Sequence, residues 1–595
     1  MSKETKQAPK HLMNDPNTIV VESLRGLCYS NAHLRLLEKE KVIYRADLEN
    51  IIENQVTIVC GGGAGHEPSH AGLVGPGLLS AAVSGQVFAS PSTKQINAAL
   101  RKCRSPHGTL LVVKNYTGDR LHFGLAAERA RAEGARVETV VVAEDVAVGR
   151  EKGGLVGRRG LAGTVLVHKV AGALASRGAA LEEVHRIAKW VAENIATMGV
   201  ALEKCHVPGS STEEKLGAGN IELGMGIHGE PGMLTTKLIP IRDLARRMLD
   251  TILSTDPDRN FLPMQRGEEC CLLVNNLGGT SNLELGVAVK EAVEYLNELG
   301  MAPLRVFSGT YMTSLGMPGV SFTLLRLPRE SNPDKNLVLS LLDDPAAAPG
   351  WINPVTFPSV KGAGADWQGK EELAGASNNT FNSVPVDPEL FSAALRSGCT
   401  SLIDAEPEIT RYDSVAGDGD CGITLRNGAK VVLDALDSGK LPITDAAGTL
   451  MFISDLLEES MGGTSGALYC IFLNSLASNL RNFSSDANDT KRVDNEVWTK
   501  AIKGALDGLG AYTPARKGDR TLMDALIPFV EALQEGGLER AVLAAESGAK
   551  ATQKMSARFG RASYVGEGRE NAVPDAGACG VACLLRGISR TLSNQ

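Results

Sequence analysis

Tyr412-Asp413-Ser414-Val415-Ala416-Gly417-Asp418-Gly419-Asp420-Cys421-Gly422 places three carboxylates within eight residues, separated by glycines, at the entrance to a helix-compatible segment, Ile423 to Leu436. Glycine lets the backbone turn sharply and pass close to a ligand. So dense a carboxylate cluster calls for a positive counterpart. A hard cation with oxygen ligands is the natural one, and Mg²⁺ is usually held by a few carboxylates plus waters and substrate phosphates. A calcium loop or a solvated acidic turn is the plainer reading of the stretch taken alone. All ten histidines lie at or before His228, which excludes a His-rich zinc or iron centre from this region.

Outward from this stretch, about eight amphipathic segments of ordinary helix length run from Pro388 to Leu592. No β-branched run long enough for a buried strand interrupts them, so the expectation is an all-α domain with its chemistry in loops at one end of the helices. Asp343 to Pro385 is rich in Ala, Pro, Gly, Ser and Asn, lacks periodicity and reads as a linker. Before it, strand-like and helical runs alternate, which implies sheets flanked by helices. The first group has strands at 56–60, 110–113 and 137–142, and helices at 121–133 and 181–198. The second has strands at 271–274, 304–307 and 321–327, and a helix at 283–299. Two such groups suggest two lobes. The expected division is 1–345, a linker 346–385, and 386–595.

Composition sets the class. The 595 residues suffice for two to four domains, and 65 glycines against 4% aromatics suggest many tight loops. A net charge of −8 argues against nucleic acid or an anionic membrane as the main partner. Eleven cysteines without metal-ligand spacing read as reduced thiols. Met1 to Thr18 lacks the apolar core of a signal peptide and no run approaches a membrane span, so a cytoplasmic location is expected.

Three further loops in the helical half resemble phosphate or nucleotide contacts. Gly462-Gly463-Thr464-Ser465-Gly466 opens a helix, where free N–H groups favour an anion. Gly518-Asp519-Arg520-Thr521 precedes another helix and supplies a cation and a hydroxyl. Arg558, Arg561 and Arg569 surround Pro574-Asp575-Ala576-Gly577 before the last helix. Each alone reads as a cap or a packing glycine; with the aspartates they favour a nucleotide site. It is neither a Walker A loop nor a protein-kinase lysine strand. In the α/β half, His66, Lys114 and Asp119 follow expected strands, where ligands bind in such sheets. His228 lies between glycines in Gly224-Met225-Gly226-Ile227-His228-Gly229-Glu230-Pro231-Gly232. By spacing alone, His70, His122, His168 and His206 have equal standing.

The set G-G-G-A-G-H-E-P (61–68), K-N-Y-T-G-D (114–119), G-M-G-I-H-G-E-P-G (224–232), G-D-G-D-C-G (417–422), G-G-T-S-G (462–466) and G-D-R-T-L-M-D (518–524) resembles the single-chain, ATP-dependent dihydroxyacetone (glycerone) kinases. The match covers nearly the whole chain. The resemblance implies a dihydroxyacetone-binding half of two α/β lobes and an ATP-binding half that is an eight-helix antiparallel barrel, in a homodimer. It implies that His228 adds to the substrate ketone as a hemiaminal, with His66 and Asp119 in acid/base roles. Gly63, Ala64, Gly65, His66, Lys114 and Asp119 match the residues holding substrate; many relatives have serine where Ala64 stands. Asp413, Asp418 and Asp420 match the Mg²⁺ ligands. Asp420, Cys421, Gly422, Ile423, Thr464, Ser465, Thr521, Leu522, Asp575, Ala576 and Gly577 match the positions that bind ATP. Dihydroxyacetone and glyceraldehyde are then the expected substrates. Two other functions stay open: splitting of FAD to a cyclic FMN at the same nucleotide site, and a catalytically silent regulatory role.

Overall fold

The computed structural model describes residues 11–153, 157–209, 216–301, 303–328, 334–353, 383–483, 493–556 and 573–593. The chain divides into two compact units, Met1–Glu371 and Glu372–Gln595. The first is α/β and the second is helical.

Six strands form the first sheet: β1 (Leu34–Leu37), β2 (Val42–Arg45), β3 (Thr57–Ala64), β4 (Ala81–Val87), β5 (Thr109–Lys114) and β6 (Val137–Val142). Their order is β1-β2-β4-β3-β5-β6, with β4, β3, β5 and β6 parallel and β2 antiparallel to both neighbours. The second sheet holds β7 (Ile195–Ala201), β8 (Asn220–Leu223), β9 (Leu234–Lys237), β10 (Cys270–Asn276), β11 (Pro303–Gly309) and β12 (Gly319–Arg326). Its order is β11-β10-β12-β7-β8-β9, antiparallel except for β10 with β11. Helices α1 (Ile19–Ser30), α2 (Leu48–Asn54), α3 (Thr93–Lys102), α4 (Thr117–Ala132) and α5 (Arg150–Gly153) accompany the first sheet in sequence. Then come α6 (Thr164–Ser176), α7 (Leu181–Glu193), α8 (Ile241–Ile252), α9 (Asn282–Glu298) and α10 (Asp334–Asp343).

Strand alternation sorts the side chains into separate cores. Ile58, Cys60, Leu110 and Val112 enter a core shared with α6, α7 and with Cys271, Leu273 and Phe307 of the second sheet. Val59, Leu111 and Val113 face the opposite way, onto α3 and α4. Likewise Cys270, Leu272 and Val274 pack on α8 and α9. The two α/β groups are therefore lobes joined by a common apolar centre.

Three expectations need correction. The 3.6-residue period read over 181–198 stops at Glu193, and Ile195–Ala201 is strand β7. This fully buried strand pairs with β12 and β8, and that pairing overrides a periodicity that Ile195 happens to continue. The K-N-Y-T-G-D motif already enters helix α4 at Thr117, placing Asp119 in its first turn. The expected linker is also anchored at both ends. Ala346, Ala348 and Trp351 are buried in the first unit, with Trp351 against Phe307 and Tyr311, while Val384 is buried in the second. Alanine and proline content gave no hint of this packing; residues 354–382 lie outside the described residues.

In the second unit the described residues form α11 (Pro388–Ala416), α12 (Cys421–Asp437), α13 (Ala446–Ser460) and α14 (Gly463–Phe483). They continue as α15 (Asn495–Gly510), α16 (Met523–Gly536), α17 (Leu538–Ala551) and α18 (Ala576–Leu592). Each helix packs on the next, and α18 returns to pack on α11. Asp387 caps α11 by accepting from the Glu389 and Leu390 N–H groups, with Pro388 in the first turn where its missing N–H does no harm.

Candidate active site

The first site forms where β3 runs out. Its last residues, Gly61 to Ala64, lead into a loop that carries His66, fully buried. His66 Nδ1 lies 2.8 Å from the Thr313 carbonyl oxygen. A carbonyl only accepts, so Nδ1 carries the proton and Nε2 of the neutral ring carries a lone pair. That Nε2 is 3.2 Å from His228 Nε2. His228 Nδ1 is 2.7 Å from Glu230 Oε1, and its backbone N–H donates to Glu230 Oε2 at 3.0 Å. Glu230 likewise fixes a proton on His228 Nδ1. The two Nε2 atoms converge on one point from opposite lobes.

Burial pushes the Glu230 carboxyl up, but hydrogen bonding and charge from His228 outweigh it and hold it at about 2. Burial, with Lys114 and His228 alongside, holds the His66 ring well below the usual imidazole range. Lys114, at the end of β5, is buried, which lowers its ammonium, and Asp119 offsets part of that. Asp119 is buried too, and its Oδ1 has no hydrogen-bond partner. An unsatisfied buried carboxylate oxygen beside a lysine suits a ligand hydroxyl.

Aromatic walls enclose the pair. Phe88 stacks on His66 with ring centroids 5.1 Å apart and meets His228 edge-on at 5.2 Å. Its backbone φ of 56° is the left-handed conformation that a phenylalanine rarely adopts. Tyr116 meets His228 edge-on at 4.9 Å. The His228 loop is pinned from behind. Arg159 bonds Asp145 at 2.7 Å and donates to the Gly224 carbonyl at 2.6 Å, and Ser314 donates to the Ile227 carbonyl. At Gly226 any Cβ would overlap the Glu230 carboxylate and the Arg159 guanidinium, so the close approach requires glycine.

The other histidines lie elsewhere. His122 bonds Thr93 Oγ1, and His206 sits half-buried in the loop after β7. His70 and His168 gather with Cys60 in a separate buried cluster. Phe88, Thr313 and Arg159 escaped the sequence reading. Glu230 and Tyr116 were legible only as letters of motifs, with no role attached.

In the second unit, Asp413 lies in the last turn of α11 and Asp420 is the N-cap residue of α12. Oxygens of Asp413, Asp418 and Asp420 all lie within 4.8 Å of one another. Gly419, at φ 80°, makes the turn, and the Cys421 N–H donates to Asp413 Oδ2 at 3.0 Å. Three convergent carboxylates in a histidine-free unit fit a hard divalent cation. Asp575 caps α18 by accepting from the Ala578 N–H at 2.7 Å. Burial pushes its carboxyl up to about 6, with Asp524 and Asp413 adding to the effect. Thr464 and Ser465 lie in the first turn of α14, beside an open pocket of about 740 Å³ that Gly462, Gly466, Asn474 and Tyr512 help to line. Thr521 and Leu522 lead into α16.

Arg520 departs from expectation. It is 2% exposed and donates to the Val573 carbonyl at 2.7 Å and the Thr552 carbonyl at 3.2 Å. Its guanidinium therefore ties three loops together instead of offering a cation to a phosphate. Arg558, Arg561 and Arg569 lie outside the described residues.

Family models match at residues 25–350, a Dak1 domain, and at residues 415–590, a DAK2 domain. The chain is 43% identical to a dihydroxyacetone kinase of Pichia angusta, with 98% of each chain covered. It is 38% identical to a human triokinase/FMN cyclase, covering 98% of this chain and all of the relative. Among solved structures, the C. freundii dihydroxyacetone kinase in complex with AMP-PNP and Mg²⁺ superposes with a TM-score of 0.66 at 30% identity. That match covers 98% of this chain and 100% of the other.

Proposed function

The chain belongs to the dihydroxyacetone kinase family, and from that premise we propose that it transfers a phosphoryl group from Mg·ATP to dihydroxyacetone, and to glyceraldehyde. The observation that carries this reading is the convergence of the His66 and His228 Nε2 atoms at 3.2 Å beside Lys114 and Asp119.

His228 Nε2 attacks the substrate carbonyl carbon, and the C=O electron pair moves to oxygen. The ring gains positive charge next to ionised Glu230, which favours the attack. The ring then gives up its Nδ1 proton and the new alkoxide gains one, so the hemiaminal is neutral overall. Covalent fixing turns a small, mobile triose into an oriented nucleophile. It also selects ketone or aldehyde over glycerol, which has no carbonyl. Gly63, Ala64, Gly65, Lys114 and Asp119 hold the substrate hydroxyls, and His66 and Asp119 take the proton as a terminal hydroxyl attacks phosphorus. A weakly basic, neutral His66 holds its lone pair ready at neutral pH.

Asp413, Asp418 and Asp420 hold Mg²⁺, which supplies charge neutralisation for the phosphates. Asp420 to Ile423, Thr464, Ser465, Thr521, Leu522 and Asp575 to Gly577 contact the nucleotide through N–H groups and hydroxyls at helix starts. The return of α18 onto α11 supports an eight-helix antiparallel barrel. Family resemblance adds a homodimer and a cytoplasmic location; among the described residues no helix is long and apolar enough to cross a membrane.

The deciding experiment is ATP consumption with dihydroxyacetone, glyceraldehyde and glycerol side by side. The first two should turn over and glycerol should not; equal use of glycerol would reject covalent selection. The relative named triokinase/FMN cyclase supports a second activity at the same nucleotide site, read by a manganese-dependent FAD assay. A silent regulatory role is disfavoured because His228, Asp413, Asp418 and Asp420 are all present.

A further inference from the structure

The buried interior of the first unit holds a cluster that the phosphoryl-transfer chemistry does not use. Cys60 on β3, His70 on the loop that follows, and His168 in the middle of α6 come from three elements. Each offers one donor atom, and these atoms lie within 4.8 Å of one another. Cys60 Sγ is 3.6 Å from His70 Nδ1, and the His70 and His168 rings meet edge-on with centroids 5.2 Å apart. Cys60 and His168 are fully buried and His70 is 5% exposed. His70 Nε2 and both nitrogens of His168 lack any hydrogen-bond partner.

Buried polar atoms are almost always satisfied, so two rings with orphaned nitrogens, each offering one donor atom within 4.8 Å of a thiol, call for an occupant. We propose that Cys60, His70 and His168 form a binding site for a soft monovalent metal cation, copper(I).

The ligand set and the surrounding charge both select it. One thiolate and two imidazoles are soft-to-borderline donors, and a thiolate favours copper(I), zinc or iron–sulfur centres over hard cations. Three ligands fall one short of the closed tetrahedral shell of a structural zinc. Charge separates the remaining choices. Lys114 borders the cluster: a Cβ at Gly62 would stand 3.5 Å from Lys114 Nζ and 3.7 Å from His70 Cδ2. A divalent ion with a single thiolate would add net positive charge next to that ammonium in a dry interior, which is costly. Copper(I) with one thiolate is neutral. As the copper–sulfur bond forms, the Cys60 thiol releases one proton to solvent, and no electron changes hands. The bound ion would staple β3, the His66 loop and α6 together.

The test uses the reduced full-length chain, because the other ten cysteines must compete. Copper(I) is supplied anaerobically, during expression as well as to purified protein, and loosely held metal is stripped with a chelator. One copper per chain should remain, and its X-ray absorption should show one sulfur and two nitrogen neighbours. Cys60→Ser and His168→Gln should each weaken retention at least tenfold. Cys103→Ser and Cys271→Ser, which remove other buried thiols, should not. Should the cluster variants fail to fold, the spectrum of the wild-type chain decides alone. No retained copper, a sulfur-only shell, equal loss in the two control variants, or preferential retention of zinc(II) would each overturn the proposal. A water-filled cluster gives the first of these results. None of the readouts depends on kinase turnover, so failure here and failure of the proposed function are separable.

Discussion

His228 and Glu230 are two residues apart, and their pairing leaves Nε2 as the ring nitrogen that would attack in the proposed adduct. Replacing His228 with Ala should abolish the adduct and lower turnover by at least 100-fold while leaving the fold intact. A crystal soaked with dihydroxyacetone should show density continuous with His228 Nε2; continuity with another histidine would reject the assignment. Glu230→Gln keeps an acceptor for Nδ1–H but removes the charge that balances the ring during attack. It should lower kcat on the order of 100-fold. Since Glu230 is held at about 2, it stays ionised and able to balance that charge from pH 5 to 8. Only part of this was legible in the sequence. His228 stood out among four rivals through family motifs alone, and its convergence with His66, 162 positions away, is a product of two sheets meeting. The carboxylate two residues on was visible, but its role depends on a loop geometry that Arg159 and Ser314 impose from distant segments.

Elements show the same division between what local chemistry dictates and what packing adds. The aspartate loop works because α11 stops, Gly419 turns the chain and α12 starts within a few residues, so three carboxylates converge without long-range help. That is why the stretch could be read directly. Asp413→Asn, Asp418→Asn and Asp420→Asn should each weaken use of Mg·ATP, with equilibrium binding of dihydroxyacetone nearly unchanged when measured by calorimetry. Loss of dihydroxyacetone binding in a folded variant would mean that the two ligands do not belong to separate units. Strand β7 is the opposite case, since its identity comes from β12 and β8 and not from its own period. The segment after β6 carries Glu144, buried, with Oε1 accepting from the Leu161 N–H at 2.8 Å and Oε2 unpartnered. Burial pushes this carboxyl up to about 7, from an ordinary value of 4.5. As pH rises from about 4.5 to 7, the unfolded chain gives up this proton while the folded chain keeps it, so the group reduces stability, by up to about 3 kcal/mol. Glu144→Gln should therefore raise the thermal midpoint at pH 8 more than at pH 5.

At the scale of the whole molecule, the α/β-then-helical order was legible because hydrophobic periodicity changes between the halves. The extent of each unit was not, because Trp351 sits in a stretch whose composition looks like a tether. A fragment ending at residue 345 removes Trp351 from its packing on Phe307 and Tyr311. Losing a buried tryptophan costs about 3–5 kcal/mol, so this fragment should melt well below one ending at residue 353. We expect the longer fragment, mixed with residues 383–595, to recover kinase activity that rises with concentration, as a cut tether predicts. No recovery from two folded, ligand-binding fragments would make the intervening chain part of the active assembly. The placement of every histidine in the first unit has a further use, as a reporter. Isotope-labelled histidine turns a residue label into a label for one half of the molecule, and the helical unit is silent in such a spectrum. Dihydroxyacetone should move the His66 and His228 resonances first. Any histidine signal displaced by Mg·ATP alone would then be a message received from the other half, read without a single probe being attached.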